Sequence, residues 1–176
     1  MSTKNYYSMT TKKFILRTSH NGWLLATQKF YNDILYFYYK LFLEHPEFHS
    51  MGNQKAMRAL ECLSIVGRDK KPVESPLPWK AVPLYFRRAA INSALAAGKS
   101  YLAREEQEHP SEAFSAGITL YKGMYKDLDG HSVRIKVWTG ESWRWIRCRL
   151  SDSEIPLNGE CLSPKVVFRE KRIELH

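Results

Sequence analysis

Lys12-Lys13-Phe14-Ile15-Leu16-Arg17 is a short β-like run that stands alone near the start of the chain. Ser19 to Gly22 break it and supply a helix N-cap region, and from Trp23 the apolar period becomes helical. A solitary strand leaves its backbone N–H and C=O groups without partners, so it needs a sheet built elsewhere. The only other β-like runs lie after Gly117: Ile118 to Tyr125, Ser132 to Trp138, Trp143 to Leu150 and Lys165 to Leu175, with Gly130 and Gly140 in turns. The helices between are therefore an insertion into a discontinuous antiparallel sheet. The expected class is α+β: a small antiparallel β-barrel from residues 1–20 and 114–176, with an inserted α-helical lobe over 21–113.

The first helix carries Leu24, Tyr31, Leu35, Tyr38 and Phe42 on one stripe, with Phe30, Ile34, Phe37 and Leu41 beside it. That wide apolar face needs a packed partner, and Pro46 ends the helix. A second helix is expected from Asn53 to about Val66. A third follows Pro83 and runs to about Gln107, with Leu84, Ile91, Leu95, Gly98 and Leu102 as its stripe. Between these two, Gly67 to Pro83 is a connector with four prolines. The run Arg172-Ile173-Glu174-Leu175 ends almost flush with His176, which suggests a fragment or a subunit that needs a partner.

Lys plus Arg total 27 against 18 Asp plus Glu in 176 residues, a net charge of +9. That excess argues for a polyanionic partner, a nucleic acid or an anionic surface. At 44% hydrophobic the chain supports a core and is not disordered. Cys62, Cys148 and Cys161 are odd in number and far apart, which disfavours a disulfide framework or structural zinc and points to a reducing cytoplasm. Met1 to Lys13 has no apolar signal-peptide core. Trp23 to Leu43 is interrupted by Gln28, Lys29, Asn32, Asp33 and Lys40, so it reads as an amphipathic helix and not a membrane span. No membrane partner is expected.

The hairpin from Ser132 to Leu150 carries the most chemistry. With Thr139 to Ser142 as its loop, Trp138 opposes Trp143, Lys136 opposes Trp145 and Arg134 opposes Arg147. Val133, Ile135, Val137, Ile146, Cys148 and Leu150 then form a core face. Arg134, Lys136, Trp143, Trp145, Arg147 and Arg149 form the other, with Arg17 on the isolated strand as a further basic candidate. Such alternation suits stacked bases and phosphates; the competing reading is a solvated face whose tryptophans cover a helix. On the third helix Tyr85, Arg88, Asn92, Lys99, Ser100 and Arg104 suit a phosphate backbone, or simply a wet helix face. On the first helix Gln28, Asn32, Tyr36 and Tyr39 form a polar stripe that could read adenine edges, or else cap neighbouring loops or simply be solvated.

Enzyme signals fail on inspection. Gly98-Lys99-Ser100 imitates the end of a phosphate-binding loop, but Ser93 stands where the earlier glycine is required and the segment is helical. His45 and His49 have metal-like spacing spoiled by Pro46. Glu105-Glu106-Glu108 and Asp127-Asp129 read as a solvated helix end and a turn. No paired carboxylates look built for two magnesium ions, so no catalytic residue, metal or cofactor is expected in this chain.

Leu84-Tyr85-Phe86-Arg87-Arg88-Ala89-Ala90-Ile91-Asn92-Ser93-Ala94, continued by Gly98-Lys99-Ser100-Tyr101, resembles the recognition-lobe helix of TnpB-like proteins and compact type V CRISPR effectors. Phe114 to Gly123, Val137 to Trp145, Leu162-Ser163-Pro164-Lys165 and Ile173 to His176 resemble the wedge strands that follow in such proteins, and Tyr31-Asn32 fits as well. The resemblance implies a wedge-like barrel with an inserted recognition domain, in a prokaryotic cytoplasm, contacting guide RNA, the guide–target heteroduplex and a motif beside the target DNA. In that family a RuvC nuclease domain with three acidic residues, and often a zinc finger, comes next. This chain stops before either, so no catalytic residue carries over. The resemblance implies that a RuvC domain or subunit, with its Mg2+, is supplied elsewhere. The expectation is an RNA-guided binding module without its nuclease, in a transposon or CRISPR setting. The rivals are an RNA-independent DNA-binding regulator on the same scaffold, and an enzyme with an unrecognised site.

Overall fold

In the computed structural model, which describes residues 11–104, 110–151 and 162–176, the isolated run becomes strand β1 (Phe14–Arg17), paired along both edges. Three helices follow among the described residues: α1 (Asn21–Glu44), α2 (Asn53–Ser64) and α3 (Leu84–Leu102). Then come β2 (Ile118–Thr119), β3 (Tyr125–Lys126), β4 (Ser132–Trp138), β5 (Trp143–Leu150), β6 (Lys165–Arg169) and β7 (Arg172–Leu175). The strands form one antiparallel seven-stranded sheet of order β2-β6-β7-β1-β5-β4-β3, curled into a half-barrel. The first strand in sequence is thus central. It joins the β3–β4–β5 meander to the β6–β7 hairpin, pairing Leu16 with Leu150 on one side and with Ile173 on the other.

The helices cover the inner face of this sheet, and helix and strand side chains share one hydrophobic cluster. α1 lies between α3 and β4, so both of its apolar stripes are used: Leu24, Tyr31, Ile34, Tyr38 and Phe42 are fully buried. The buried tyrosines keep partners for their hydroxyls, as burial requires. Tyr31 donates to the carbonyl of Ala89 at 2.9 Å and lies 2.8 Å from Ser93 Oγ, while Tyr38 meets Ser64 Oγ at 2.9 Å. Gly98 lets α3 approach α1 closely: a Cβ there would stand 2.4 Å from Cδ1 of Phe42. The phosphate-loop imitation around Gly98 is thus a helix-packing position.

The structure corrects several expected boundaries. α2 stops at Ser64 and not near Val66, and α3 stops at Leu102, with 105–109 outside the described residues. Leu84, expected on the buried stripe, is exposed, and Phe86 fills the core. The run Ile118 to Tyr125 is not one strand. The turn at Tyr121–Met124, with Gly123 at φ +95°, divides it into β2 and β3, which lie at opposite edges of the sheet. Lys165 to Leu175 likewise folds back at Glu170-Lys171 into the β6–β7 hairpin. Among the described residues no helix is long and apolar enough to cross a membrane.

Candidate nucleic-acid interface

The β4–β5 hairpin has the register its alternation implies: Trp138 opposite Trp143, Lys136 opposite Trp145, Arg134 opposite Arg147, and Ser132 opposite Arg149. Val133, Ile135, Val137, Ile146 and Cys148 point to the inner face and are buried. Burial pushes the Cys148 thiol up to about 11, so it is a packing group and not a nucleophile. Cys161 lies outside the described residues.

On the outer face Trp145 is 39% exposed, with the Lys126 ammonium 4.4 Å from its ring centroid. Arg147 donates to Ser132 Oγ at 3.2 Å, which steers its guanidinium along the sheet. Arg134 pairs with Asp127 at 2.6 Å, both about half exposed. Arg149 and Arg17 are exposed and lie directly opposite each other across the β5–β1 ladder.

Trp143 departs from this group. Its ring packs 4.9 Å from Phe86, 5.6 Å from Trp138 and 6.1 Å from Phe30, and its indole N–H donates to the carbonyl of Ala81 at 3.1 Å. The hairpin end lies on α1, where the backbone N–H of Trp138 donates to Thr27 Oγ1 at 2.8 Å. Trp143 therefore covers a helix, and the expectation that it lies on the open aromatic surface is corrected.

The other candidates do not gather at one surface. Asn32 is 7% exposed: its Oδ1 accepts the Ala116 N–H at 2.7 Å, and its Nδ2 donates to the carbonyls of Gln28 at 2.8 Å and Ala116 at 3.1 Å. Gln28 donates to the same Ala116 carbonyl at 3.3 Å, Tyr36 lies 6.4 Å from the Phe114 ring, and Tyr39, expected on the polar stripe, is instead buried 5.0 Å from that ring. This polar stripe clamps the loop leading into β2. Asn32→Ala should cost about 1–3 kcal/mol, the usual penalty for stranding a buried amide. A thermal melt checks it, and an unchanged melting temperature would show that the clamp is dispensable.

On α3, Arg88 and Arg87 both bind Glu61 of α2 at 2.9 Å. Asn92 donates to Tyr121 Oη at 2.8 Å. Lys99 donates to Asn53 Oδ1 at 2.7 Å and to the Met51 carbonyl at 3.0 Å. These four tie α3 to its neighbours. Tyr85, Ser100 and Arg104 are exposed, with Tyr85 against the Gly123 turn.

The metal-like residues are dispersed in use. His45 meets Glu47 at 2.8 Å, while His49 turns to the Phe42 carbonyl at 3.0 Å. Asp129 accepts the backbone N–H groups of His131 and Ser132, which hold its carboxyl below the usual range. Glu105, Glu106 and Glu108 lie outside the described residues. Among the described residues no three His, Cys, Asp or Glu side chains converge as a metal site.

Sequence reading missed Arg169 and Arg172. They face each other across the β6–β7 hairpin and extend the basic outer face. The polar tetrad Arg169-Glu170-Lys171-Arg172 interrupts the alternation of that segment, and this was the available turn signal. No curated protein and no solved structure matches the chain. The family model that does match covers residues 8–139, from before β1 to just past β4, and the chain belongs to the Aq_aa04 family.

Proposed function

We propose that this chain is a nucleic-acid-binding module that holds a phosphate backbone against the outer face of its sheet. One observation carries the reading. Arginine stands directly opposite arginine at Arg17–Arg149, Arg134–Arg147 and Arg169–Arg172. Like charges facing each other across a ladder are destabilising; Asp127 offsets Arg134, and Glu174 offsets Arg169 and Arg172, but Arg17 and Arg149 have no carboxylate among the described ion pairs, so fold stability does not account for that pair. A polyanion relieves the repulsion and converts it into binding. Trp145 adds one exposed aromatic to the same face.

On the resemblance to TnpB-like proteins, the finer proposal is a wedge-like barrel with residues 21–113 as the inserted recognition domain. It would bind guide RNA and the target heteroduplex, with the nuclease and its Mg2+ supplied by another domain or subunit. The chain order supports this: a central strand comes first, the helices follow, and the remaining strands complete the sheet.

The test is fluorescence anisotropy with labelled RNA and DNA, together with sequencing of any copurified nucleic acid. Affinity should fall steeply between about 50 and 200 mM salt as counterion release is suppressed. Binding that is absent, or flat with salt, would overturn the module reading. Copurification of one discrete RNA supports the RNA-guided form. Binding of DNA with no RNA retained overturns that form in favour of a DNA-binding regulator.

A further inference from the structure

The strand registers place four arginines in a single row across the sheet. Arg149 of β5 is opposite Arg17 of β1. The β1–β7 register pairs Phe14 with Leu175, Ile15 with Glu174 and Leu16 with Ile173. Continuing it by one residue brings Arg17 opposite Arg172, and Arg172 is opposite Arg169 of β6. The strands β5, β1, β7 and β6 are consecutive neighbours, so the row crosses them without a gap. At about 4.8 Å between strands, four guanidinium stems span roughly 14 Å at right angles to the strand direction.

The neighbouring row differs in character. Two residues along the strands, about 7 Å away, it holds Ile15, Glu174 and Val167. Glu174 is 4% exposed and already neutralised: His176 Nε2 lies 2.8 Å from Oε2, Arg172 Nε donates to Oε1 at 2.5 Å, and Arg169 Nε is 3.7 Å from Oε2. These contacts, with that of His176 first, hold its carboxyl below the usual range. Both arginines turn Nε toward Glu174, and among the described residues their Nη atoms make no hydrogen bond, which leaves those donors for another acceptor. Glu174 thus orients two members of the row.

We infer that Arg149, Arg17, Arg172 and Arg169 form a track for one sugar–phosphate backbone, running across the strands and continuing the Trp145 surface of the hairpin. The inference rests on the nucleic-acid reading above and specifies the ligand: a single backbone, held through its phosphates and independently of base sequence. On β1, β7 and β6 the row is flanked by the apolar and neutralised row, while at β5 it adjoins Arg147 opposite Arg134, so one backbone laid along the row can run on toward the hairpin surface. The row has no aromatic member, so it offers phosphate contact without stacking.

The test measures the salt dependence of binding to labelled oligouridylate and oligocytidylate. The variants are Arg17→Gln with Arg149→Gln, Arg169→Gln with Arg172→Gln, and the latter pair combined with Glu174→Gln so that no carboxylate is stranded. Each double variant should lower the slope of log K against log salt by about 1.4, two phosphate contacts at roughly 0.7 each on a single strand. The loss should be equal on both sequences. A duplex of the same length should bind no more tightly than the single strand. Unchanged slopes in all folded row variants, with Trp145→Ala still weakening binding, would overturn the track and leave the hairpin site standing. A slope loss confined to one base sequence would overturn the phosphate assignment. A parent chain with no salt-dependent binding would overturn the module reading itself.

Discussion

Trp143→Ala should unfold the protein more easily, and Trp145→Ala should leave it folded but binding poorly. The two residues are alternate members of β5 and share a nominal face, yet their surroundings differ. Trp143 fills space against Phe30, Phe86 and Trp138, and its indole holds the Ala81 carbonyl. Truncating a packed tryptophan costs about 3 kcal/mol at the lower end of the usual range. In a chain of this size that is roughly 6–12 °C in Tm. Trp145 has an exposed ring whose neighbour is the Lys126 ammonium, so its removal should change stability by less than about 0.5 kcal/mol. Its loss from a stacking surface should instead cost about 1–3 kcal/mol of binding, roughly 5- to 150-fold in Kd. Thermal melts and RNA titrations on both variants separate the roles. A stable Trp143→Ala with weakened binding, or a Trp145→Ala that melts early and binds normally, would reverse the assignment.

What the sequence made legible is local. The period of two across Ser132–Trp138 and Trp143–Leu150, with Gly140 in the left-handed conformation at φ +104°, fixes the hairpin register without any knowledge of the rest. The wide apolar face of α1 likewise announces a helix that needs a packed partner, though not that α3 and β4 both supply it. What was not legible depends on segments distant in the chain. Trp143 and Trp145 are indistinguishable by alternation, because the position of α1 beside the hairpin end decides which ring is covered. Asn32 reads either as a base-reading amide or as a loop cap, and only Ala116, 84 residues later, decides for the cap. The arginine row needs the registers of β1 with both β5 and β7, and no local pattern sets either. Ile118 to Tyr125 reads as one strand on its β-branched and aromatic residues, although Lys122-Gly123 in its middle is the turn signal that divides it.

Charge is used differently by different arginines. On the outer face Arg134 pairs with Asp127 and both Arg169 and Arg172 converge on Glu174, but Arg17 and Arg149 face each other with no carboxylate among the described ion pairs, so their repulsion is available to a ligand. Between α2 and α3 two arginines converge on one carboxylate, so the charge is spent on packing. This contrast separates Arg88 from Arg17 and Arg149, although a linear reading gives all three the same basic label.

Glu61→Ala should therefore be among the most destabilising surface-layer substitutions in the helices, with little effect on binding. The Glu61 side chain is 13% exposed and Arg87 is 12% exposed; Arg88 is more open at 35%. Arg88 bridges both carboxylate oxygens, through Nε to Oε1 at 3.1 Å and Nη2 to Oε2 at 2.9 Å, and Arg87 adds a bond from Nη2 to Oε1 at 2.9 Å. Removing the one acid strands two guanidinium groups between packed helices, a loss of about 3 kcal/mol when a largely buried pair is broken from one side. Burial alone would raise the Glu61 carboxyl, but the hydrogen bonds from Arg88 and Arg87 outweigh it and hold the group below its ordinary value. A carboxyl depressed in the folded state contributes stability that is fully present above the unfolded value, about 4.3, and is lost as pH falls through the folded value. The Tm gap between parent and variant should thus be widest at neutral pH and narrow progressively below about pH 4. RNA affinity at neutral pH should be unchanged, because the cluster lies with the helices behind the sheet and not on its outer face. A gap that is small at neutral pH, or that widens in acid, would show that Glu61 is not ionised and paired as described. A loss of RNA binding in a variant that remains folded would return Arg88 to the interface.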